Sequence, residues 1–141
     1  MPASLNEYLK RTALFARFSD RQIADVLATA KQRRFEAGEQ IIHRGDAGGR
    51  GFYLIVEGRT EVRAGEAVLA HFGPGDYFGE MALLLEDTPR TADVVAVEPT
   101  SCLVITQWDL KALLAAHPEM GLTMMAELAR RLADTDRTLR E

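Results

Sequence analysis

Between residues 33 and 106 nearly every apolar run is cut short by glycine, a punctuation that favours short strands and tight turns over long helices. Gly38, Gly58, Gly65, Gly73 and Gly75 fall between or beside runs at 40–43, 52–56, 60–63 and 68–72, with further runs at 92–97 and 102–105. About eight short strands at this even spacing predict a sheet rolled on itself, because closure removes open edges. The architecture expected is an antiparallel β-roll, a jelly-roll-like double-stranded β-helix.

The flanks obey another period. Leu5, Tyr8 and Leu9, then Ile23, Val26, Leu27 and Ala30, recur at three- and four-residue intervals and predict two short amphipathic helices. Ser19 stands three residues before Gln22, the spacing of a capping box, so the second helix should open near Asp20. Beyond the roll, Trp108, Leu110, Leu113 and Leu114 predict a helix in which Trp108 serves as a core aromatic. Pro118 interrupts that pattern, and a last helix carries Met125, Leu128, Leu132 and Leu139 as a broken heptad, with Thr135 in the gap. The fold class is therefore α+β: one domain over 1–141, divided into N-terminal helices (1–32), roll (33–106) and C-terminal helices (107–141). With 47% hydrophobic residues among 141, the chain can bury one real core.

Several functions are disfavoured by what the chain carries. Seventeen basic against 21 acidic side chains give a net charge of −4, which argues against direct binding to nucleic acid. Glu7, Lys10 and Arg11 break any apolar signal segment, and no stretch has the length of a membrane span, so no membrane insertion is expected. The single cysteine, Cys102, forbids an internal disulfide; it reads as a buried small hydrophobe in a chain expected to be cytoplasmic. His43, His71 and His117 lack the paired spacing of a metal site and are expected on the surface or in packing. With no nucleophile and base in plausible spacing either, neither an enzyme nor a bound cofactor is expected.

The stretch 72–96, FGPGDYFGEMALLLEDTPRTADVVA, interrupts the strand grammar with a short helix opening on glycine. Gly79 allows close backbone approach, and the free N–H groups of the next turn, through Ala82 and Leu83, favour an anion of phosphate size. Arg90, set by Pro89 beyond the acidic Glu86 and Asp87, has the fork to grip the same anion. Glu80 is a poor neighbour for a bare phosphate. It fits if the ligand also offers a hydroxyl, and a sugar phosphate satisfies both residues.

The run Phe78-Gly79-Glu80-Met81-Ala82-Leu83, followed by Pro89-Arg90-Thr91-Ala92, closely resembles the phosphate-binding cassette of the cyclic-nucleotide-binding domain family, known from protein kinase regulatory subunits, nucleotide-gated channels and catabolite-activator-like regulators. Phe35, Gly38-Glu39, Ile41-Ile42, Gly45, Tyr53, Ile55, Gly58 and Val62 resemble the family's early strand and turn positions, so the likeness covers nearly the whole chain. The resemblance implies that Glu80 takes the ribose 2'-hydroxyl and Arg90 the cyclic phosphate. It further implies backbone donors at Gly79 and Ala82, with the Thr91 hydroxyl on the phosphate or the purine. The family's last helix folds over the base as a lid, here drawn from Met124, Leu128, Arg131 and Leu132.

The expected function is thus a sensor that binds a cyclic mononucleotide and signals to an unnamed downstream protein through its C-terminal helix. Cyclic AMP is favoured over cyclic GMP on the commonness of that ligand, since Thr91 suits either. A homodimer through the last helix and a monomer that packs the stripe on itself are equal alternatives. The rival readings are a family fold that has lost its ligand and acts in protein interaction, and, behind it, a small β-roll metalloenzyme.

Overall fold

The computed structural model describes residues 5–12, 14–42, 51–79 and 92–140, with side chains of the last helix as far as Asp134. Two helices come first, α1 (Leu5–Lys10) and α2 (Asp20–Thr29). The capping box is present: the Gln22 amide donates to Ser19 Oγ at 3.1 Å and the Ser19 amide to Gln22 Oε1 at 2.9 Å, so α2 opens at Asp20. Such a cap satisfies two amides that a helix start otherwise leaves to water.

Eight strands follow among the described residues: β1 (Lys31–Phe35), β2 (Gln40–Ile42), β3 (Phe52–Glu57), β4 (Thr60–Ala64), β5 (Ala67–Phe72), β6 (Tyr77–Phe78), β7 (Asp93–Ala96) and β8 (Thr100–Ile105). They form two four-stranded antiparallel sheets in the orders β1-β8-β3-β6 and β2-β7-β4-β5. The eight-stranded antiparallel roll expected from the sequence is what the chain builds. Helices α3 (Gln107–Ala116) and α4 (Pro118–Arg140) complete it.

Strand alternation divides the core in two. Along β3, Phe52 and Leu54 face the helices, in a cluster with Leu9, Phe15, Ile23, Leu110 and Met120. Tyr53 and Ile55 face the other sheet, in a cluster with Phe35, Ile42, Phe78, Val94 and Cys102. Successive side chains of a strand point to opposite faces, so a strand buried on both sides must be apolar throughout its buried length, as FYLI is. The turn after β3 depends on Gly58, whose φ is +99°; a Cβ there would lie 2.5 Å from the Pro99 carbonyl oxygen and the Thr100 Cα.

Two expectations need correction. Helical periodicity placed Trp108 in the core, but its side chain is 68% exposed, with the Lys111 ammonium 5.6 Å from the ring centre. Leu110 and Leu113 occupy the buried face of α3, and at 100° per residue Trp108 falls roughly on the opposite side. The roll also begins earlier than residue 33, because Lys31–Phe35 pairs with β8 from Lys31↔Val104 to Phe35↔Thr100. Met120 and Met124 are core filling, whereas Met125 is exposed.

Candidate functional site

The turn that delivers the chain to β6 is built by its own sequence, Gly73-Pro74-Gly75-Asp76. The Gly73 amide donates to Asp76 Oδ2 at 2.8 Å and the Asp76 amide to the Gly73 carbonyl at 3.0 Å, a side chain closing its own turn. The Gly75 amide then donates to the Ile55 carbonyl at 2.9 Å, and the Ile55 amide to the Asp76 carbonyl at 2.9 Å. From α1, the Tyr8 hydroxyl donates to that same Ile55 carbonyl at 2.7 Å. Burial pushes the Tyr8 phenol above its ordinary range, opposed in part by its hydrogen bonding with the Gly75 backbone.

Beyond the turn, Phe78 is buried between two parallel rings, Tyr53 at 5.0 Å and Phe72 at 6.0 Å between centres. Gly79 follows with φ +94°, and an added Cβ would collide with the Gly51 carbonyl oxygen. The glycine is therefore required by backbone packed against backbone, a reason additional to the ligand approach inferred from sequence. The chain leaves the first sheet at Gly79 and re-enters the second at half-buried Ala92, just before β7. Glu80, Met81, Ala82, Leu83, Pro89, Arg90 and Thr91 lie outside the described residues.

Of the four candidate lid residues, Arg131 is the one seen to reach this place. Its guanidinium lies 5.0 Å from the Phe72 ring centre and 4.8 Å from that of Tyr77, and it donates to the Tyr77 carbonyl at 3.0 Å. A planar cation serves both purposes at once, lying over aromatic faces while its rim donates. Helix α4 is thus fastened to the strand that leads into Gly79. Met124 is buried in the helix-side cluster, Leu128 is half-buried and Leu132 is exposed. Sequence reasoning missed Tyr8, Phe72 and Tyr77; the Pro-Gly-Asp turn was the one signal pointing to this corner.

His117 is buried as the C-terminal cap of α3, with Nδ1 3.2 Å from Gln22 Nε2, and His71 is exposed beside Glu61. His43 lies outside the described residues. Among the described residues no group of His, Cys, Asp and Glu has the makings of a metal site, and no helix is long and apolar enough to cross a membrane.

Comparison with known proteins bears on the whole arrangement. The cyclic nucleotide-binding domain model matches residues 32–117. The cyclic AMP receptor protein of Thermus thermophilus is 35% identical over 133 residues, covering 91% of this chain and 61% of that protein. A cAMP-dependent protein kinase regulatory subunit of Mycosarcoma maydis is 38% identical over 102 residues, covering 70% of this chain and 19% of that one. The crystal structure of Thermus thermophilus catabolite activator protein superposes with a TM-score of 0.81 at 33% identity, over 92% of this chain and 62% of that one. This chain spans less than two thirds of the length of each of these relatives. With a family model matched over most of its length and a roll of the same shape, the chain belongs to the cyclic nucleotide-binding domain family.

Proposed function

We propose that the chain is a sensor for cyclic AMP that binds the nucleotide unchanged and reports it through α4. In this reading Arg90 and the main-chain donors at Gly79 and Ala82 hold the cyclic phosphate, Glu80 accepts from the ribose 2'-hydroxyl, and Thr91 adds its hydroxyl. The observation that carries the reading is the Arg131 clasp, which joins α4 to the strand leading into Gly79. A change in the cassette then has a direct mechanical route to the helix. Cyclic AMP is preferred because the receptor protein and kinase subunit above are named for it. The setting is cytoplasmic, and the signal passes to a further protein.

Calorimetric titration with cyclic AMP, cyclic GMP and linear AMP tests ligand class and preference together. Cyclic AMP should bind tightest, linear AMP poorly, and the nucleotide should be recovered intact. Removing the guanidinium in Arg90→Ala leaves a desolvated phosphate unpaired, a loss of about 2–5 kcal/mol, or roughly thirty-fold to a few thousand-fold in affinity. Equal affinity in the variant, or no cyclic nucleotide bound by the native chain, sinks the proposal.

A second reading concerns assembly. Leu122, Met125 and Leu132 on α4 are 64%, 59% and 70% exposed, an apolar row at close to heptad spacing. We infer that two copies pair along this row.

A further inference from the structure

Among the described residues strand β1 lies at the edge of its sheet, paired to β8 on one side. Its first four residues, Lys31, Gln32, Arg33 and Arg34, are all exposed, and three of them are cations in a chain of net charge −4. An edge strand leaves alternate N–H and C=O groups facing outward, ready to accept another strand. Lys31 and Arg33, two residues apart and so on one face, line a hollow of about 390 Å³ with Tyr53, Val104 and Asp109, which lies on the sheet face over β8 and β3, beside the open edge and not along it. Two cations against one carboxylate leave the hollow net positive, while Tyr53 and Val104 give it an apolar wall. Arg33 extends over Phe35, its guanidinium 5.3 Å from the ring centre. On the other face Arg34 meets Glu57 at 3.7 Å with both side chains more than half exposed, a pair weak enough for another carboxylate to displace.

We propose that β1 is a docking edge for an acidic, extended segment of a partner protein, which joins the sheet as an added strand. Main-chain pairing supplies the affinity of such a contact and alternate side chains its specificity. Acids at every second position lie about 7 Å apart, the separation of Lys31 and Arg33 along the strand. The same charges exclude a second copy of β1, since like charges would face each other across the new pair. The proposal does not rest on nucleotide binding.

The probe is a capped seven-residue peptide of alternating glutamate and valine, added to the full chain without nucleotide and followed by amide NMR. Shifts should concentrate in 31–35 and the facing part of β8, and affinity should fall as salt rises. The double variant Lys31→Glu/Arg33→Glu should bind at least tenfold more weakly and still bind nucleotide as the native chain does. A peptide N-methylated at alternate residues, tested on the native protein, should lose binding, an arm independent of how the variant folds. Equal binding of the N-methylated peptide, absence of shifts in β1, unaltered affinity in the double variant, or preference for a single-stranded oligonucleotide would each overturn the proposal.

Discussion

Cys102 points from β8 into the space between the sheets, where burial alone pushes its thiol from 9.0 to about 12. The unfolded chain releases this proton near pH 9 while the folded one holds it, so burial favours the fold fully below pH 9 and the advantage drains away as pH rises toward 12. Denaturant unfolding across pH 8 to 11 should show stability falling by about 1 kcal/mol per unit above pH 9, a slope that Cys102→Ala makes shallower. Identical slopes in the two proteins would refute this. The Tyr8 phenol, raised in the same direction, adds its own loss above pH 10. Cys102 as a buried small hydrophobe was legible in the sequence, because an apolar neighbourhood on a strand leaves a lone thiol little else to do. Tyr8 was legible only as one apolar position of a helix, since its partner, the Ile55 carbonyl, is 47 residues away.

Near its described end, helix α4 is held to the roll by Arg131. Two cation–π contacts and one charged hydrogen bond together amount to roughly 2–3 kcal/mol at a half-buried position. Arg131→Ala should therefore speed hydrogen exchange in α4 beyond Met125 by roughly thirty- to 150-fold, leaving β3 and β8 unchanged; equal exchange would show that the clasp holds nothing. Elements with a plain apolar signature were readable in advance: α2 opens at the residue its capping box indicates, and β3 lies where the unbroken run FYLIV stands. Strand β1 was missed because Lys-Gln-Arg-Arg-Phe has no alternation to read, its extended form being imposed by β8. Strand β6 is two residues long and carries no period at all. Trp108 failed for a different reason, since composition favours burying tryptophan while the phase set by Leu110 and Leu113 turns it outward.

For the whole molecule, the proposed pairing of two copies rests on the exposed row of α4. The sequence stripe was Met125, Leu128, Leu132 and Leu139, but the structure turns Leu128 partly inward and brings Leu122 into the exposed row; the Leu139 side chain lies outside the described residues. Sedimentation velocity should find a dimer that Leu132→Glu converts to monomer, and a native chain sedimenting as a monomer at all concentrations would dismiss the pairing. The family was legible from the cassette residues, whereas the corner that leads into Gly79 was not, because it joins α1, β3, the turn before β6 and α4 across most of the chain. Strand β3 is a party wall with a room on either side, and it furnishes both from one short run of residues. A single insertion within Phe52–Glu57 would turn every residue on one side of it toward the wrong room, so in this protein the spacing of that run is as much a part of its identity as the letters it contains.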